Sequence, residues 1–265
     1  MPIPRFTAKI ETEAPTPRLA VLIDADNAQA AIIENLLLEV ASLGEATVKR
    51  IYGDFTSPTS ASWKKVLQKL AIKPVQQFAY TSGKNATDCS LIIDAMDLLY
   101  AGTFDGFCLV SSDSDFTGLA MRLRESGLKV YGFGEKKTPE AFRNVCDKFT
   151  FTEILRPVVE QSGVTAPNDQ NATELPANND LPNGAIPKEF LMSALESLLG
   201  EDGWARLSDF GSYLNKVRPD FDPRSYGHKK LSDLVRANQD LFDTEERPTA
   251  AGSGNKIIYV RRHKA

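Results

Sequence analysis

The sequence predicts an α/β fold, a parallel sheet covered by helices on both faces, followed by a smaller winged-helix unit. Three observations predict it. Between residues 18 and 156, short apolar runs of strand length alternate with segments of helix length. Residues 157–185 are rich in Pro, Asn, Ala and Thr, and carry Glu160, Asp169, Glu174 and Asp180 but no Lys or Arg. Beyond them, three helical segments precede two strand-type runs joined by a glycine-bearing loop. The expected organisation is a flexible arm over 1–17, an α/β domain over 18–156, a disordered linker over 157–185 and a winged-helix domain over 186–265. The linker lacks the apolar surface that would offset its ordering entropy.

The elements follow in order. LAVLID (19–24) is a continuous apolar run suited to a strand buried on both faces, and 28–44 is long enough for a helix closed by Gly44. TVKRIYG (47–53) reads as a strand, SASWKKVLQKLAI (60–72) as an amphipathic helix, and PVQQFAY (74–80) as a strand. Residues 87–102 form a helix with Thr87 or Asp88 at its start. GFCLVSS (106–112) is the fourth strand, 115–126 a helix stopped by Gly127, and LKVYGFG (128–134) the fifth strand. Pro139 opens a last short helix before FTFTEIL. In the second unit, 186–200 is a helix, LSDFGSYLNKV a second capped by Ser208, and DPRSYGHKKLSDLVRANQ a third. LFDTEE and KIIYVRR complete it as strands.

Composition narrows the chemistry. The 265 residues are 42% hydrophobic and 25% charged, with a net charge of −4, which are ordinary globular values. No apolar run approaches the roughly 20 residues that span a bilayer, and the start lacks a signal peptide's apolar core. A cytoplasmic protein without a membrane partner is expected. Cys89, Cys108 and Cys146 show no CxxC spacing, which argues against a disulfide framework and a zinc site. His228 and His263 both lie in the winged-helix part, so a Ser–His–Asp triad or a His-rich metal site is excluded from the α/β part.

In open parallel sheets, function collects at the carboxyl ends of the strands. Asp24, Asp26 and Asn27 follow the first strand; Asp113 and Asp115 follow the fourth, after Ser111 and Ser112; Asp88 begins the helix that leads to that strand. Crowded carboxylates repel, and a divalent cation removes the conflict. An all-oxygen set without His or Cys selects Mg²⁺ or Mn²⁺, the ions of metal-dependent phosphodiester hydrolysis. Each acid also has a plainer reading as a helix N-cap. Asp94 lies six residues beyond Asp88, about 120° around the helix, and is a second-rank candidate. No Glu is placed near the pocket. No GxGxxG or Walker loop is present, and DADN lacks the Thr of a DxDxT phosphatase.

VLIDADN (21–27), KNATDCSLIIDAMDLL (84–99) and VSSDSDFTGLAMRLRESGLKVYGFG (110–134) resemble the NYN branch of the PIN-like nucleases, especially the LabA-like group. The resemblance implies a three-layer α/β/α fold, a pocket holding Mg²⁺ or Mn²⁺, and cleavage of RNA. It implies Asp24, Asp88 and Asp113 as metal ligands, Asn27 as a supporting amide and Asp115 as an adjacent acid. Ser111 and Ser112 would orient these acids or touch phosphate, and Asp94 would take an acidic position of the broader superfamily. Lys84 would steady the phosphate or the leaving group.

Residues 186–262 are similar to the LOTUS or OST-HTH domain, notably in FDPRSYGHKKLSDLV (221–235) and the late KIIYV strand. This implies RNA binding, with docking to a protein partner as the alternative. Arg224, Lys229, Lys230 and Arg236 would lie along the third helix, Lys256, Arg261 and Arg262 on or after the hairpin, and Tyr226 and His228 would stack on bases. The expected function is metal-dependent RNA hydrolysis with a winged-helix RNA-binding module, against a non-catalytic RNA- or protein-binding regulator. Homo-oligomerisation, RNA identity and cleavage polarity stay open.

Overall fold

The run LAVLID forms most of β1 (Arg18–Asp24), whose residues Leu19–Ile23 are wholly buried at the centre of a six-stranded sheet. The computed structural model describes residues 15–56, 61–78, 86–156, 186–200, 202–248 and 256–263. The strand order is β3-β2-β1-β4-β5-β6 and every pairing is parallel. The other strands are β2 (Glu45–Gly53), β3 (Lys73–Gln76), β4 (Gly106–Val110), β5 (Lys129–Gly134) and β6 (Lys148–Phe151).

Side chains alternate across each strand, so β1 feeds two cores. Ala20 and Leu22 pack with Leu91 and Ala95 of α3 (Ala86–Tyr100), Leu119 and Leu123 of α4 (Thr117–Glu125), and Phe142 of α5 (Glu140–Val145). Leu19, Val21 and Ile23 pack with Ile33, Leu36 and Val40 of α1 (Ile33–Leu43) and with Trp63 of α2 (Ala61–Leu70). This is the expected helix-covered parallel sheet. The chain runs outward from β1 through β2 to β3, then returns to β4 on the other side of β1. The strand order therefore reverses between β1 and β4, which places a ligand crevice beyond their carboxyl ends.

The second unit comprises α6 (Lys188–Glu196), α7 (Leu207–Val217) and α8 (Leu231–Ala237), with a sheet in the order β7-β9-β8. In it, β7 (Ala205–Arg206) and β8 (Phe242–Pro248) flank β9 (Lys256–Arg262), all antiparallel. Leu191, Leu195, Phe210, Leu214, Leu234, Phe242 and Val260 form its core.

The two units touch along β6. The Phe149 N–H donates to the Pro219 carbonyl at 2.8 Å, which caps part of an otherwise open sheet edge. Arg224 reaches Glu39 of α1 through both terminal nitrogens, at 2.8 and 3.0 Å, while Lys148 reaches the same carboxylate at 2.9 Å. Arg143 of α5 pairs with the buried Asp220. Burial alone would raise the Glu39 pKa, but its Arg224 and Lys148 partners more than offset that and hold it at about 2.

Four details differ from the sequence reading. FTFTEIL contributes a sixth parallel strand, β6, too short for a clear periodic signal. The two-residue β7 was likewise invisible. The helix expected over DPRSYGHKKLSDLVRANQ is two pieces. Asp222 caps a 3₁₀ turn over Pro223–Tyr226, and Gly227, at φ 81°, turns the chain before α8 starts. Ser208 does not cap α7 but sits inside its first turn, bonded to Asp209. The expected linker, and residues 1–14 of the expected arm, lie outside the described residues.

Candidate metal centre

Asp24 ends β1 and is fully buried, as its strand position demands. Its Oδ2 accepts hydrogen bonds from Asn27 Nδ2 and Ser111 Oγ, both at 2.7 Å, and its Oδ1 accepts the Asp26 N–H at 3.0 Å. Burial pushes its pKa up, and these bonds oppose the shift. Ser111 also accepts the Asp113 N–H at 3.0 Å, so one hydroxyl joins the acid-bearing ends of β1 and β4. Asp113 Oδ1 in turn accepts the Asp115 N–H at 2.9 Å, capping the 3₁₀ turn that leads into α4. The N-cap reading of Asp113 therefore describes one of its oxygens.

Asp88 enters from the first turn of α3. One carboxylate oxygen each from Asp88, Asp113 and Asp115 lie within 4.8 Å of one another. Partial burial, then the charges of Asp24, Asp113, Asp115 and Asp26, push the Asp88 pKa up to about 6. Of the three expected ligands, Asp88 and Asp113 stand close together. Asp115 stands in the close triad, whereas Asp24 lies buried beside it within its own hydrogen bonds. Three hard oxygen donors gathered this closely fit Mg²⁺ or Mn²⁺.

Other expected positions fall elsewhere. Asp94 is engaged by Arg50 and Tyr52, whose hydroxyl is pushed far above its usual pKa, first by burial and then by this carboxylate. Ser112 is buried, and its Oγ accepts the Glu135 N–H at 2.8 Å. Glu135, whose carboxylate accepts from Gln29 in the turn after β1, is a further acid at the sheet's carboxyl edge that the sequence reading did not include. It directly follows β5, so the strand-end rule that found Asp24 and Asp113 would have found it too. Lys84 lies outside the described residues.

In the second unit, Arg224 is held by Glu39 and Asp222, and Tyr226 packs on Phe221 with ring centroids 5.7 Å apart. Arg236 and Lys256 share Glu246, at 2.9 and 3.1 Å. Arg261 pairs with Asp243, and Arg262 with Glu196. His228 is half-buried beside the exposed Lys229 and Lys230, whose ammonium groups have no ion pair among the described residues.

The family model of the NYN domain matches residues 18–155, and that of the OST-HTH/LOTUS domain matches residues 185–253. No curated protein matches the chain. Among solved structures, an uncharacterized protein of Nitrosomonas europaea, studied by NMR, is 45% identical over 37% of this chain and 94% of its own, with a TM-score of 0.30. An NMR structure of residues 175–257 of a Chromobacterium violaceum protein is 33% identical over 32% of this chain and 88% of its own, at TM-score 0.25. A Vibrio parahaemolyticus protein of unknown function is 20% identical over 52% of this chain and 94% of its own, at TM-score 0.43.

Proposed function

Because the chain belongs to the NYN-domain family and carries an OST-HTH/LOTUS domain behind it, we propose that it is a metal-dependent ribonuclease. The observation that carries this reading is the Asp88–Asp113–Asp115 triad beside buried Asp24, at the reversal point of a parallel sheet. Asp88, Asp113 and Asp115 would hold Mg²⁺ or Mn²⁺. When bound, such an ion supplies an activated water and stabilises charge on the phosphodiester's leaving oxygen.

This chain's own residues do the positioning. Asn27 and Ser111 orient the Asp24 carboxylate, and Ser111 holds the backbone of Asp113 so that its side chain faces the triad's other members. Ser112 anchors the neighbouring loop through Glu135. In the second unit, Lys229 and Lys230 are the cations best placed to meet RNA phosphates, since the other expected ones are engaged by acids. The domain limits 18–156 and 186–265 belong to this proposal, with the linker between them. No helix among the described residues is long and apolar enough to cross a membrane.

The test incubates end-labelled single-stranded, hairpin and duplex RNAs with Mn²⁺, Mg²⁺ or EDTA, beside Asp113→Asn. Metal-dependent products that vanish in the variant are expected. Absence of cleavage by a folded, RNA-binding wild type would replace this reading with a non-catalytic regulator.

A further inference from the structure

An acidic pocket repels the polyanion it is meant to receive, so cations must hold the strand beside it. The loops that follow β1 to β5 meet at the carboxyl edge. Among their described residues (25–29, 54–56, 77–78, 111–116 and 135–139), the cations are Lys136 and Lys137. Both are exposed, and both sit on the loop after β5.

That loop is fixed to the metal centre rather than loosely draped over it. Ser112, next to Asp113, binds the Glu135 N–H at 2.8 Å, and Ser111 N–H donates to the Phe133 carbonyl at 3.0 Å. Gly134 lies so close that a Cβ there would fall 2.6 Å from the Ser111 carbonyl oxygen. Buried Thr138 closes the turn by donating its N–H to the Glu135 carbonyl at 2.9 Å, and the Lys136 N–H donates to Glu153 at 2.9 Å. The Glu135 carboxylate accepts from Gln29 at 3.1 Å, which ties the loop to the turn after β1, and pairs with Lys137 at 2.8 Å. The Lys137 ammonium is largely exposed and its pairing correspondingly weak, so it can exchange Glu135 for a phosphate, while Gln29 keeps Glu135 in place. The Lys136 ammonium has no ion pair among the described residues.

We propose that Lys136 and Lys137 bind the RNA backbone phosphate next to the one that is cut, setting the strand's register over the acidic triad. Cleavage beside this phosphate rests on the ribonuclease reading, whereas backbone binding stands on the loop itself.

The test compares wild type, Lys136→Gln/Lys137→Gln and Lys136→Arg/Lys137→Arg. Single-stranded RNA binding is titrated in EDTA across salt, and Mn²⁺-dependent cleavage is followed in parallel. With about 0.7 counterions released per phosphate contact on single strands, losing this one phosphate contact in the Gln variant should lower the log–log salt slope by about 0.7. Its KM should rise about tenfold with kcat within about twofold, its Mn²⁺-induced thermal shift should persist, and the Arg variant should recover both binding and KM. An unchanged salt slope and KM in the Gln variant would overturn the assignment while leaving the nuclease reading intact. A wild type that cleaves nothing, combined with a reduced slope in the Gln variant, would refute the nuclease reading and uphold backbone binding.

Discussion

Ser111 Oγ donates to Asp24 Oδ2 at 2.7 Å and accepts the Asp113 N–H at 3.0 Å, so a single hydroxyl couples a buried acid to one that faces the pocket. Ser111→Ala removes both bonds and leaves Asp24 a partner short at a buried position. The variant should lose about 1–3 kcal/mol of stability, measured by urea unfolding. Its kcat should fall more than its Mn²⁺ affinity, because the triad's three carboxylates remain. Equal losses in both would assign Ser111 to ion binding itself.

Asp88 carries a pKa raised to about 6, so its ionised form is disfavoured in the fold. The folded state binds this proton more tightly than the unfolded chain, so through this group the metal-free protein loses stability as pH rises from 3.8 past 6. Mn²⁺ competes with that proton. The Mn²⁺-induced rise in Tm should be full at pH 7.5 and shrink as pH falls through about 6. A shift independent of pH between 5 and 7.5 would remove Asp88 from the ligand set.

Asp113→Asn retains the Oδ1 cap on the Asp115 N–H while removing a charge from the triad. Folding should persist, cleavage should drop by at least about a hundredfold, and RNA binding should hold or improve. Circular dichroism beside the cleavage assay separates this outcome from unfolding. Full metal-dependent cleavage by a folded Asp113→Asn would remove Asp113 from the ligand set.

Glu39 bonds both Lys148 and Arg224, so it joins the units from the first domain's side. Its pKa is lowered from 4.5 to about 2, so its stabilisation is complete above pH 4.5 and is lost as pH falls toward 2. Glu39→Gln should release the second unit at a cost on the order of 2 kcal/mol. The readout is hydrogen exchange at the Phe149 amide, which should quicken as its bond to Pro219 opens. An unchanged rate would show that Arg143–Asp220 and the backbone bond suffice.

Gly134→Ala would force a Cβ against the Ser111 backbone and the Thr138 hydroxyl, each at 2.6 Å. Overpacking against backbone should destabilise the protein by about 1–3 kcal/mol. Thermal unfolding checks it. A neutral variant would show that the β5 loop can yield and is not a rigid shelf.

Much of the fold was legible because its signals are local. Each central strand is a continuous apolar run, buried on both faces, and each long helix carries its periodicity within its own residues. The same locality made Asp24, Asp88 and Asp113 readable, since each sits at a strand end or helix start. Glu135 occupies an equivalent place after the fifth strand, but no second acid stands beside it in the sequence to mark it. The third helix of the second unit divides in two because Gly227 takes φ 81° and turns the chain before Leu231, a backbone choice that the segment's composition does not reveal.

The sequence by itself determined the parallel α/β domain, the smaller unit behind it, and the delivery of acids to one sheet edge. Hydrophobic period and strand-end position are properties of a few neighbouring residues. Only the tertiary structure decided that Asp115 joins Asp88 and Asp113 in the close triad while Asp24 turns inward to Asn27 and Ser111. It also decided that Arg224 is held by Glu39, 185 residues away, and that among the expected RNA-binding cations Lys229 and Lys230 have no ion pair with a described acid. Which partner a charged side chain takes depends on what the folded chain brings within a few ångströms, and no local pattern encodes that distance.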